Sequence, residues 1–189
     1  MKYTLLFRIW HWLNAFVVLG LLGTVFLRKT FLSKHDNADI LINKLLEMGI
    51  EITEKQGITL AKSIRSVMWE WHIILGYALA FLILYRIYLY FFDKSIKADF
   101  NSLDTHHKLV KISYYVVYSI LAFLAVSGLV IHFYQEIGMS KDFAHDIKEV
   151  HEFTYLFILY FTPLHVAGVV MADAKEENGL ISTMIHGKK

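Results

Sequence analysis

The sequence predicts an all-α fold: an integral membrane four-helix bundle with an amphipathic helical loop between the first and second spans. Two observations carry that expectation. Of 189 residues, 56% are hydrophobic and 15% aromatic, too apolar for an ordinary soluble domain and suited to a small membrane protein. Four apolar runs are long enough for helices that cross a bilayer, which takes about 20 residues for a core about 30 Å thick. The whole chain, 1–189, reads as one membrane domain, since no Pro- or Gly-rich linker, low-complexity tract or repeat divides it.

The first run, about 9–27, is IWHWLNAFVVLGLLGTVFL, uncharged between Arg8 and Arg28. It is too long for the apolar core of a signal peptide, lacks a small-residue cleavage site and ends in bulky Phe26 and Leu27, so it reads as a retained span. The polar segment 28–67 follows. Its DNADILINKLLEMG has an Asp/Asn start, apolar Ile40, Leu41, Leu45 and Met48, and a stop at Gly49, which predicts a short amphipathic surface helix. TEKQ at Thr53–Gln56 resembles a capping box that opens a helix towards the second span. Such a segment caps the bundle, meets a partner or lies on the headgroups. The remaining spans are about 68–92, 109–134 and 150–172. Four crossings put both termini on one side. Nine basic residues fall on that side (Lys2, Arg8, Lys94, Lys97, Lys108, Lys111, Lys175, Lys188 and Lys189) and nine on the other, so the distribution of Lys and Arg does not orient the chain.

Net charge is only +2, with the basic residues scattered, which gives no surface for nucleic acid. Cysteine is absent, which excludes disulfides, iron–sulfur ligation, thioether-linked haem and thiolate chemistry. Any metal must be held by His, Met or carboxylate.

The fourth span, in EVHEFTYLFILYFTPLHVAG, carries His151 and His165. Fourteen residues at about 100° each fall about 40° short of four turns and rise about 21 Å. Both imidazoles therefore share a face, near opposite leaflets. His11 starts the first span and His72 the second, so antiparallel packing places His11 with His165 and His72 with His151. Two histidines from facing helices suit a low-spin haem, one axial ligand on each side of the porphyrin, and two such pairs suit two stacked haems. Taken singly, each histidine reads first as a polar residue at a helix interface. Zinc is a rival, but no span supplies a third ligand at HxxxH or HExxH spacing. His132, near the end of the third span, competes for the His72/His151 side. His35, His106, His107, His145 and His186 read as surface residues.

Gly76 and Gly168 lie one turn beyond His72 and His165 and leave room where a macrocycle approaches, although small residues also serve helix packing. Arg86, fourteen residues after His72, reaches the His11/His165 level and suits a haem propionate; Arg8, three residues before His11, suits the same task. A snorkelling arginine is the plainer account. Tyr114, Tyr115 and Tyr118 read as packing and interface aromatics.

RIWHWLNA around His11, WHIILGYAL around His72, the His151/His165 pair and the tail GLISTMIHGKK resemble the four-helix, di-haem bacterial cytochromes b, a superfamily that includes the b-type subunits of nickel–iron hydrogenases, formate dehydrogenase gamma subunits and bacterial cytochrome b-561. The long 28–67 segment departs from the shortest members. The resemblance implies two non-covalent b haems with bis-His ligation, a bacterial inner membrane location and cytoplasmic termini, with His11/His165 at an inner haem and His72/His151 at an outer one. It also implies electron transfer between a periplasmic oxidoreductase subunit or cytochrome and the membrane quinone pool. Other readings are a stand-alone di-haem quinone oxidoreductase with a small diffusible donor, and a haem-free membrane anchor or transporter with histidines as protonation sites.

Overall fold

The computed structural model of the protein describes residues 3–92, 104–175 and 178–187. Lys2, Lys94, Lys97, Lys188 and Lys189, used above in weighing sidedness, lie outside the described residues. The described chain folds into α1 (Leu5–Lys29), α2 (Lys34–Glu47), α3 (Glu54–Phe92), α4 (Thr105–His132), α5 (Lys141–Lys175) and α6 (Leu180–His186). Helices α1, α3, α4 and α5 are each long and apolar enough to cross a membrane; α1, α3 and α5 contain the first, second and fourth expected spans, and α4 contains the third up to His132. Their outward faces carry large apolar side chains such as Phe16, Phe81, Leu84, Phe153 and Leu164. Lipid accepts that surface without penalty, whereas water does not.

The helices run past the apolar runs where local signals extend them. Helix α3 begins at Glu54, not near Met68, because the capping box forms: Thr53 N–H donates to Gln56 Oε1 at 2.8 Å and Gln56 N–H to Thr53 Oγ1 at 3.3 Å. At 39 residues it is about 58 Å long, nearly twice the hydrocarbon thickness. Helix α2 starts before the expected Asp/Asn pair, because Ser33 caps it by accepting from the Asp36 N–H at 3.5 Å. Gly49, at φ 77°, stops it as expected. The third span ends at His132, capped by Phe133, two residues short of Tyr134.

Two compact units result. Val17–Gly76 holds the second half of α1, all of α2 and the first part of α3. Here α2 and α3 approach through small residues: Ala38 and Ala61 are each 1% exposed. A Cβ on Gly57 would lie 2.8 Å from Ile42 Cδ1. Gly20 plays the same part between α1 and α3, where a Cβ would lie 3.0 Å from Leu75 Cδ1.

The other unit joins Met1–Phe16 to Tyr77–Lys189. Trp10 Nε1–H donates to the Leu82 carbonyl at 2.8 Å, tying α1 to α3. Helix α6 is held at both ends. Asp173 Oδ1 accepts from the Ile181 N–H at 3.0 Å. Arg8 Nη2 and Trp12 Nε1 donate to the Ile185 and Met184 carbonyls at 3.0 and 3.3 Å, meeting groups that a helix C-terminus leaves open.

Candidate functional site

His11 on α1 and His165 on α5 come together as their spacing predicts: their ring centroids are 6.3 Å apart and the rings are inclined at 60°. An imidazole nitrogen lies roughly 1.1 Å from its ring centre for C–N bonds of about 1.33 Å, and a metal–imidazole bond is about 2 Å. Two such radii and two such bonds in line come to about 6.2 Å, so the centroid separation matches that of two imidazoles on one metal ion. The surroundings are aromatic: Trp12 is edge-on to His11, Tyr114 is edge-on to His165, and Phe161 stacks on His165 at 5.5 Å one turn away.

Arg86 lies in the same unit. Its guanidinium sits 5.3 Å from the ring centres of Phe7 and Trp10 and 5.0 Å from that of Tyr118, while its Nε and Nη1 are buried without a hydrogen-bond partner. Aromatic faces attract a cation, but they do not satisfy buried N–H donors, and such groups ordinarily find an acceptor. An anionic group, such as a haem propionate, fits that need. Arg8 also has an engagement that its position did not suggest. Its Nη2 caps α6, while its Nε is buried and unpartnered. Asn14, one turn beyond His11, has its Oδ1 buried and unpartnered as well.

His72 and His151 belong to different units and share a local arrangement that the sequence did not reveal. In one, Thr24 Oγ1 lies 2.7 Å from His72 Nδ1 and donates its own proton to the Leu21 carbonyl at 2.6 Å. In the other, Ser127 Oγ lies 2.8 Å from His151 Nδ1 and donates to the Phe123 carbonyl at 2.7 Å. The His151 ring also lies close over α4 at Gly128, where a Cβ would be 3.4 Å from Cε1. A Cβ at Gly76 or Gly168 would meet nothing within 4 Å, so the backbone beyond His72 and His165 is open, as a macrocycle requires.

His132 is exposed at the end of α4, edge-on to Tyr77 and Phe133. His35, His106, His107, His145 and His186 are exposed, as expected. Tyr118 packs on Trp10 and Arg86, in keeping with a packing role, whereas Tyr114 stands beside His165.

The family model for prokaryotic cytochrome b561 matches residues 2–187. No match was found among curated proteins or among solved structures. The family match sets aside the haem-free anchor or transporter. The chain belongs to the prokaryotic cytochrome b561 family, whose members are helical-bundle membrane proteins that bind b-type haem and transfer electrons across the membrane.

Proposed function

We propose that the protein carries two non-covalent b haems, one on His11 and His165 and one on His72 and His151, and passes electrons between a periplasmic oxidoreductase subunit or cytochrome and the membrane quinone pool. The observation that carries this reading is the 6.3 Å approach of the His11 and His165 rings, from helices whose surroundings are apolar. The pairing of His72 with His151 rests on their positions in the sequence. Family membership supports a bacterial inner membrane location with cytoplasmic termini.

Haem bound by two protein ligands supplies one-electron chemistry with no open coordination position for oxygen or substrate. The rest falls to the chain. His11 and His165 present nitrogen lone pairs across their gap, and Trp12, Tyr114 and Phe161 exclude water around them. Arg86 directs buried N–H groups at a propionate and offsets its charge. Arg8 offers Nε at the same end while holding α6. This end, with His165, Arg86 and the C-terminal helix, is where we place the quinone.

Two variants test the assignment. His165→Ala removes one haem, leaves the other spectrally intact and abolishes quinone reduction, while an outer-side donor still reduces the remaining haem. His72→Ala leaves a quinol-reducible haem that the outer donor no longer reaches. Equal loss of both haems in either variant, or unimpaired quinone turnover in His165→Ala, contradicts the proposal.

A further inference from the structure

We propose that Thr24 and Ser127 are positioning residues for the haem ligands, each accepting the Nδ1–H of an imidazole and so presenting Nε2 of His72 and of His151 as the iron-binding nitrogen. This inference rests on the reading of those two histidines as ligands.

The hydroxyl protons decide the direction of each bond. A hydroxyl has one proton to give and two lone pairs to accept with. Thr24 commits its proton to Leu21 O at 2.6 Å, and Ser127 commits its proton to Phe123 O at 2.7 Å. The contacts to Nδ1, at 2.7 and 2.8 Å, are then bonds in which the imidazole donates. A neutral imidazole that donates through Nδ1 carries its lone pair on Nε2, so one hydrogen bond fixes both tautomer and ring direction.

Back-bonding to a carbonyl three or four residues earlier is ordinary behaviour for Ser and Thr in apolar helices, and by itself it indicates no function. It does not require an imidazole on the remaining lone pair. Here that happens twice, independently, on different helices. Thr24 and Ser127 are 7% and 4% exposed and, with Thr183, make up the buried polar side chains among the described residues. Two of the three thus meet a candidate ligand.

The expected consequence is electronic as well as geometric. A hydrogen bond from Nδ1–H makes Nε2 more basic, which favours oxidised iron and lowers the reduction potential. Removing the acceptor raises it.

The test uses the full-length protein purified with its haem, comparing Thr24→Val, Thr24→Ser, Ser127→Ala, His72→Ala and His151→Ala by haem content, potentiometric titration and low-spin electron paramagnetic resonance. Thr24→Val and Ser127→Ala each shift one midpoint upward by as much as about 59 mV, the one-electron equivalent of a tenfold change in the oxidised-to-reduced ratio. Thr24→Ser restores the native value. Unchanged midpoints and g-values in both hydroxyl variants, alongside haem loss in the histidine variants, overturn the positioning role and leave the ligand reading standing. Full haem retention in His72→Ala and His151→Ala overturns both. Should the hydroxyl variants fail to fold, nitrogen-15 spectra of the haem-stripped native protein decide: protonated Nδ1 and bare Nε2 on both rings support the proposal, and protonated Nε2 overturns it.

Discussion

The His11/His165 pair and the hydroxyl-held histidines, His72 and His151, show two different ways of holding an imidazole inside an apolar bundle. His11 and His165 are set by packing against aromatic rings, and their unit contains buried arginine N–H groups with no partner. His72 and His151 each meet a hydroxyl whose proton is already committed, and Trp69 stands edge-on to His72 as well. The difference separates two needs of a haem site. Orphaned donors in the unit that holds the first pair suit an anion. At the second, the hydroxyl contacts occupy Nδ1 and leave Nε2 for a ligand. Substitutions at the two places should therefore alter different properties, affinity at one and potential at the other.

The sharpest test of that contrast is Arg86→Leu. A hydrogen bond to a charged group contributes about 1.5–3 kcal/mol, so haem on His11 and His165 should pass to a scavenging acceptor protein about ten- to a hundredfold more readily. Haem-stripped protein should be no less stable, since the variant removes buried N–H groups that have no hydrogen-bond partner. A less stable stripped protein with unchanged haem retention would make Arg86 a packing residue of its aromatic cage. The haem assigned to His72 and His151 should be unaffected.

A smaller effect is expected at Gly187. Its φ is 78°, a conformation that costs an L-residue about 1–2 kcal/mol, and a Cβ there would lie 1.9 Å from Arg8 Nη1. Gly187→Ala should loosen α6 and release Trp12 Nε1–H from the Met184 carbonyl, seen as a fluorescence shift and as C-terminal proteolysis faster by about five- to thirtyfold. The signals of the haem on His72 and His151 should not move.

The smallest is a pH effect at the start of α4. The His107 side chain bonded to Asp104 holds that carboxyl below its ordinary value of 3.8. A depressed carboxylate pKa contributes stability above the unfolded value, and that stability is lost as pH falls through the folded one. Melting of Asp104→Asn should lie slightly below the native protein near neutrality and converge with it in acid below 3.8. The Thr24 and Ser127 hydroxyls do not ionise in this range, so their contacts should give no such convergence.

Much of this organisation was legible in the sequence. The spans stood out because each apolar run matches the bilayer, and His11 with His165 because fixed helical spacing places them. Helix ends were harder, since hydropathy marks where lipid begins but not where hydrogen bonding stops. Capping signals supplied one such end, since TEKQ opens α3 at its Thr53/Gln56 cap as read, but Ser33 rather than the later Asp/Asn pair starts α2. Thr24 and Ser127 were not legible, because a back-bonding hydroxyl looks the same whether or not an imidazole meets it. That meeting depends on how neighbouring helices are rotated. The hold of Arg8 on the α6 carbonyls was not legible either, because a seven-residue helix has too little periodicity to announce itself.

The central claim is that four histidines hold two haems with both axial positions filled. Its most direct test is the haem-to-chain ratio of the full-length protein purified in detergent, measured after acid–acetone extraction and paired with low-temperature electron paramagnetic resonance. Two extractable haems per chain, both low-spin, are expected. A ratio near one or zero, or a high-spin signal from iron with an axial position open to water, would contradict it.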